Sequence, residues 1–229
     1  MVEFIALECG LSPGSVIADI GSGTGLLSRA FLDAGFEVVG VEPNRDMREA
    51  GDSLLSGSAG FRSVDGTAEA TTLPDGSTDL AVAGQAFHWF DVEATRREWK
   101  RILHPGCFAA LIWNDRLREG AFMSEVESLI DRFSHELDGD GAIRERGESR
   151  IAPFFAPAAV KTAEFPNSQQ FDFEGLRSRI FSASYLPQED SPKAAELTYA
   201  LKEIFDRHQR EGQVAFLYRT KIYWARIAA

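Results

Sequence analysis

Three glycines within five residues, Gly21-Ser22-Gly23-Thr24-Gly25, and a carboxylate at Glu42 are the groups whose spacing can do chemistry in this chain. The apolar run Ser15-Val16-Ile17-Ala18 precedes the glycines and Leu26 to Leu32 follows at helical spacing, which puts them in a strand-to-helix turn. Glycine there lets the backbone take positive φ and a ligand come close, while the first N–H groups of the helix point outward unpaired. Past the helix, Gly35 reads as a stop and Phe36 to Glu42 as a second buried strand ending in the acid. In a nucleotide-binding half of a doubly wound sheet, an acid at that end accepts both ribose hydroxyls. A dinucleotide fingerprint would place its third glycine where Leu26 stands, which disfavours a nicotinamide or flavin oxidoreductase. A second group, Phe87-His88-Trp89-Phe90, concentrates aromatics and an imidazole in one loop. Two readings of His88 stand: a general base, since imidazole titrates near neutrality, or a ring that packs beside a ligand or bonds the backbone.

These groups need a sheet to hold them. A short helix, Val2 to Glu8, is stopped by Gly10 and Pro13; another starts at Pro43-Asn44 with Met47, Ala50 and Leu54 on one face. Phe61 to Val64 and Thr78 to Ala83 read as strands, and the second delivers Gly84-Gln85-Ala86 to the carboxyl edge of a parallel sheet, where such sheets present ligand groups. Asp91 caps a helix from Val92 to Leu103, which His104-Pro105-Gly106 ends before a strand over Cys107 to Trp113. Alternation of strand and helix predicts an α/β fold. The 229 residues suffice for one large domain, and 24 basic against 35 acidic residues give a net charge of −11 with no basic stripe, which argues against nucleic acid. Cys9 and Cys107 form no metal or disulfide pattern, and neither a membrane span nor a signal peptide is apparent, so a cytoplasmic protein is expected.

Asp19-Ile20-Gly21-Ser22-Gly23-Thr24-Gly25 with Glu42 resembles motif I and its following acid in class I S-adenosylmethionine-dependent methyltransferases. The resemblance implies S-adenosyl-L-methionine as cofactor and EC class 2.1.1, while the cysteine pattern predicts no metal. It implies cofactor contacts from Asp19, Gly21, Ser22, Gly23, Gly25, Glu42 and Pro43. Further contacts would come from Thr67 and Ala68, in the loop that reads adenine, and from Gln85, Ala86 and Phe87. Thr67 stands where the family usually has an acid. A sulfonium cation suits an acidic turn without a nearby Lys better than a pyrophosphate does. Gln85-Ala86-Phe87-His88-Trp89-Phe90 is similar to a loop of the small-molecule group that includes trans-aconitate methyltransferase. Trp89 and Phe87 either wall the cofactor, gaining cation–π attraction, or plug the loop from below. Family members usually carry a longer N-terminal segment over the cofactor than the one read here, a difference that leaves a non-catalytic cofactor-binding protein as the alternative.

From Asn114 on, Phe122, Val126, Leu129, Ile130, Phe133 and Leu137 share a helical face, and Asp138 to Arg150 reads as a polar mobile loop. Ala159 to Phe165 reads as strand six, Leu176 to Tyr185 and Ala194 to Gln209 as helices, and Val214 to Trp224 as the last strand. Leu197, Leu201, Ile204, Phe205 and His208 form the inward face of the second helix. The expected fold is a Rossmann-like, doubly wound seven-stranded sheet, its last strand antiparallel, with an inserted helical cover. Residues 1–113 form the cofactor core and 114–229 complete the sheet and supply the cover, in one compact domain. Phe181 to Pro187 is the expected lining of that cover. Substrate candidates are Trp89, Tyr185, Arg179 and Arg219; the arginines either pair with a substrate carboxylate or are ordinary ion-paired surface groups.

Overall fold

The computed structural model describes residues 1–134, 149–183, 185–187 and 190–227. Its elements in chain order are α1 (Val2–Cys9), β1 (Val16–Ile20), α2 (Leu26–Asp33), β2 (Glu37–Val41), α3 (Arg45–Leu55), β3 (Phe61–Val64) and β4 (Thr78–Gly84). There follow α4 (Val92–Ile102), β5 (Leu103–Arg116), α5 (Ala121–Phe133), a helical segment over 149–155, β6 (Lys161–Phe171), α6 (Phe173–Phe181), α7 (Pro192–His208) and β7 (Val214–Arg226). The strands form a seven-stranded sheet in the order β3-β2-β1-β4-β5-β7-β6, with β7 antiparallel to both neighbours. Strand β1 runs parallel to β2, with Ile20 opposite Val41, and parallel to β4, with Ala18 opposite Ala81. The chain winds from β1 outward to β3 and then crosses back to β4, so the order reverses between β1 and β4. In such a sheet the crevice lies outside the carboxyl ends of those two strands.

By contact density the chain divides into two compact units, one of Met1–Trp113, Arg146–Glu164 and Lys221–Ala229, the other of Asn114–Glu145 and Phe165–Thr220. In the first unit the buried faces of the parallel strands join Phe87, Trp99, Phe154 and Phe155 in one core. Caps fix where its helices begin. Asn44 accepts the Met47 N–H at 3.1 Å and Asp91 accepts the Ala94 N–H at 2.8 Å, each satisfying a donor the helix leaves orphaned. A network around Glu98 ties α4 to the loop after β3: Glu98 Oε1 accepts from the Thr71 N–H at 2.7 Å and from Arg101 Nη2 at 2.7 Å, and Arg101 also pairs with Asp75. The Arg101 guanidinium, above all, holds the Glu98 carboxyl down at about 2. Cys9 and Cys107 are free thiols.

The second unit has its own core, built from α5, α6, α7 and the first half of β7: Val126, Leu129, Leu176, Leu197, Leu201 and Phe216 are all buried in it. Arg116 and Glu127 form a buried ion pair at 2.9 Å, which the alternation of apolar positions alone does not reveal. His208 is half-buried and meets Glu125 at 2.9 Å rather than facing the core, because Phe205 already fills the inward turn.

Several boundaries move. The buried face of α3 is Gly51 and Leu55, while Met47 and Leu54 are half-exposed, because α3 packs against the glycine turn: a Cβ on Gly25 would meet Leu55 at 2.7 Å. His104-Pro105-Gly106 lies inside an irregular β5, whose pairing with β4 jumps from Leu103 to Phe108, rather than before the strand. Strand β6 starts later and runs longer than its apolar alternation predicts, and it tolerates Pro166 because it is the edge of the sheet. Leu137 and most of the polar run from Asp138 lie outside the described residues, but 149–155 is helical rather than loop.

Candidate functional site

The carboxyl ends of β1, β2 and β4 surround a cavity of about 550 Å3. Its floor is the glycine turn. Gly21, at φ 69°, brings the turn so near the loop after β4 that a Cβ on it would stand 2.7 Å from the Ala86 Cβ. Gly23, at φ 55°, faces open space, with nothing within 4 Å of where a Cβ would be, so a ligand has room to lie on the backbone there. Glu42 joins this floor from the end of β2. Its Oε2 accepts the Gly23 N–H at 2.8 Å and its Oε1 accepts the Asn44 N–H at 2.9 Å, so one carboxylate braces both turns. Each oxygen keeps a further lone pair for a donor above it. Arg48 secures the same strand end by donating to the Glu42 carbonyl at 2.6 Å and pairing with Asp65 at 3.4 Å.

The walls come from two loops and the start of α3. Pro43 and Met47 lie on one side, Thr67, Ala68 and Glu69 on another, and Gln85, Ala86, Trp89 and Phe90 on the third. Of the lining residues, which also include Gly84, the sequence names neither Met47, Glu69, Gly84 nor Phe90 as a cofactor or substrate contact. Glu69 carries an acid into the wall two places past Thr67, and its Oε1 accepts the Asp91 N–H at 2.9 Å, joining the two loops. Met47 was legible only as an apolar helix position, and its exposure on α3 is what assigns it to the cavity. Gln85 has φ 59°, a left-handed conformation costly for a side chain other than glycine, and its N–H reaches the Ile112 carbonyl at 2.9 Å.

Three residues of the glycine motif stand behind the cavity rather than in its wall. Asp19 is 1% exposed; its Oδ2 accepts the Ser28 hydroxyl at 2.7 Å, and burial pushes its carboxyl up to about 6. Ser22 turns towards Gly40 of β2, where a Cβ would come within 2.9 Å of its Oγ. Gly25 caps α2 against Leu55.

Phe87 does not wall the cavity. It is fully buried, with edge-on ring contacts to Phe90 at 6.0 Å, Trp113 at 6.1 Å and Phe154 at 5.1 Å, and it plugs the loop from below. A single 3-10 turn over Phe87–Trp89 separates the two rings: Phe87 starts the turn and is fully buried, while Phe90, just past it in extended backbone and 8% exposed, reaches the cavity wall. Trp89, 75% exposed, lines the cavity. His88 is half-buried with its ring 4.8 Å from that of Trp89, and it is not among the lining residues.

In the second unit, Arg179 donates to the Tyr218 hydroxyl at 2.9 Å, and Arg219 stands 3.8 Å from Glu119. Tyr218 and Arg219 are neighbours on β7, and successive strand side chains point to opposite faces, so Arg179 and Arg219 cannot clamp one carboxylate together. The Tyr185 ring lies 6.0 Å from the Arg116 guanidinium. Of the expected lining Phe181 to Pro187, Ser184 is outside the described residues. Among the described residues no His, Cys, Asp and Glu cluster could hold a metal, and no helix is long and apolar enough to cross a membrane.

Residues 18–111, which contain every lining residue of the cavity, match a sequence family described as a methyltransferase domain. An uncharacterized methyltransferase of Mycobacterium tuberculosis is 33% identical over 130 residues, 57% of this chain and 50% of the relative, so the chain spans about half that relative's length. An uncharacterized methyltransferase of Schizosaccharomyces pombe is 28% identical over 231 residues, 97% of this chain and 88% of the relative. Among solved structures, one from Anaeromyxobacter dehalogenans assigned as a type II methyltransferase has a TM-score of 0.69 at 22% identity, covering 100% of this chain and 97% of the other.

Proposed function

We propose that this chain, which belongs to the class I S-adenosylmethionine-dependent methyltransferases, binds S-adenosyl-L-methionine in the cavity over Gly23 and transfers its methyl group to a small-molecule acceptor. The observation that carries this reading is the open backbone at Gly23 with the Glu42 carboxylate bracing it, since that floor admits a sugar face and offers its hydroxyls a charged acceptor. When bound, the cofactor supplies an electrophilic methyl on a sulfonium. Glu42 and Glu69 give the cavity negative charge matched to that cation, and the Trp89 face adds cation–π attraction. Met47, Ala68 and Phe90 offer apolar walls to a base. What these residues do is hold and align the ligand and exclude water, and alignment alone is worth up to about 7 to 11 kcal/mol in well-oriented displacements. With His88 outside the wall, an acceptor already ionised is the simpler partner. A small acceptor accords with the net charge of −11, which opposes binding to a polyanion.

The test is incubation with methyl-labelled cofactor and fractionated metabolite pools. Label appearing in a low-mass product supports the reading. Tight S-adenosylhomocysteine binding with no label transferred to any pool would replace it with a non-catalytic cofactor-binding protein.

A further inference from the structure

The loop after β4 supplies a whole wall of the cavity, yet it is a single 3-10 turn behind a left-handed Gln85. Such a conformation persists only where the surroundings over-determine it. Part of that support comes from a segment far along the chain. Residues 149–155 return to the first unit as a helical turn whose Phe154 and Phe155 are fully buried, the former 5.1 Å from the Phe87 ring and 5.4 Å from Trp99. The far end is tied down by Arg96, which donates to the Ala156 carbonyl. At the near end stands Arg150. Its Nη1 donates to the His88 carbonyl at 3.3 Å, its Nη2 donates to the Phe90 carbonyl, and its guanidinium lies 5.8 Å from the Phe87 ring centre.

We propose that Arg150 is a positioning residue of the ligand cavity: its planar fork spans the carbonyls of His88 and Phe90 and so fixes the backbone that presents Gln85, Trp89 and Phe90 to the ligand. A guanidinium suits the task because it is rigid, permanently charged and carries several donors in one plane, whereas a lysine ammonium is a point donor on a flexible stem. The buried Phe154 and Phe155 make the anchor rigid, so the loop is held against the core of the unit rather than against solvent. This inference takes the identity of the ligand from the proposed function, but the positioning itself does not depend on it.

The test uses the full chain with Arg150→Met and Arg150→Lys. Without ligand, amide hydrogen exchange of residues 84–91 should speed up in Arg150→Met while that of 26–41 stays as in the parent. Calorimetry should show S-adenosylhomocysteine affinity falling by about tenfold in Arg150→Met, the loss of roughly one charged hydrogen bond, and by less in Arg150→Lys. If Arg150→Met unfolds, the same comparison is read from Arg150→Lys, for which faster exchange confined to 84–91 is expected. Unchanged protection at 84–91 in a folded variant overturns the proposal. If the parent chain does not bind S-adenosylhomocysteine, the ligand assignment fails, and the exchange comparison still decides the role of Arg150.

Discussion

Replacing Asp19 by Asn should stabilise the protein at neutral pH and have little effect in acid. Asp19 sits fully buried behind the glycine turn with one hydroxyl partner, Ser28, and burial raises its carboxyl from an ordinary 3.8 to about 6. Between those two values the folded chain holds a proton that the unfolded chain has released, so stability falls as pH rises from 3.8 towards 6 and is level above it. At 1.36 kcal/mol per pH unit, the ionised carboxylate costs the folded state about 3 kcal/mol at pH 7.5. Asn removes the charge and keeps a carbonyl to accept from Ser28. For a chain of this size that corresponds to a rise in Tm of roughly 6 to 12 °C. Thermal and urea unfolding of both proteins at pH 7.5 and at pH 4.5 measure it, the gain being large at the first and mostly gone at the second. A gain independent of pH, or an Asn variant less stable at pH 7.5, would refute the assignment of a costly buried charge.

Glu42→Gln keeps one acceptor where two backbone N–H groups, of Gly23 and Asn44, now find partners, so chemical denaturation should show a loss of about 1.5 to 3 kcal/mol and S-adenosylhomocysteine affinity should fall with it. Phe87→Ala, in the core, should cost about 3 to 5 kcal/mol of stability, while Trp89→Ala on the rim should leave the unfolding midpoint nearly unchanged and weaken ligand binding; the opposite pattern would reverse their assignments. The Glu98 carboxyl, held down at about 2, contributes stability that is complete above about 4.5 and is lost as pH falls towards 2. Glu98→Gln should therefore be less stable than the parent at pH 7, by about 2 kcal/mol once solvent screening at the 36% exposed Arg101 is discounted, and nearly equal to it near pH 2 by circular dichroism.

The architecture was legible because it rests on local signals. Glycines 21, 23 and 25 between an apolar run and a helical pattern, the acid closing β2, and the Asn44 and Asp91 caps each declare an element from a few neighbouring residues. The site divides by depth. The turn, Glu42, Thr67, Ala68, Gln85 and Ala86 follow from a motif, but which face of a motif meets the cavity is a tertiary fact. Asp19, Ser22 and Phe87 belong to the motif stretches yet meet Ser28, Gly40 of β2 and the aromatic core rather than the cavity. Met47 and Phe90 carry no local mark distinguishing a cavity wall from a core face. Arg150 lies 60 residues from Phe90, whose carbonyl it holds, a separation at which no periodicity operates. Arg179 and Arg219 show the same limit: residue type suggests carboxylate partners, but only the alternation along β7 shows that Tyr218, to which Arg179 donates, and Arg219 leave on opposite faces.

The proposed binding site for S-adenosylmethionine and its product rests on the floor formed by Gly23 and Glu42. Isothermal titration of S-adenosylhomocysteine into the parent chain and into Gly23→Val, with NAD as control, tests it most directly. A side chain at position 23 would fill the open space over the turn and strain a backbone at φ 55°, away from the sheet itself. Saturable binding of one S-adenosylhomocysteine to the parent, none of NAD, and loss of binding in a Gly23→Val protein whose circular dichroism is unchanged are expected. Equal S-adenosylhomocysteine affinity in the parent and in folded Gly23→Val, or NAD binding in place of S-adenosylhomocysteine, would contradict this assignment.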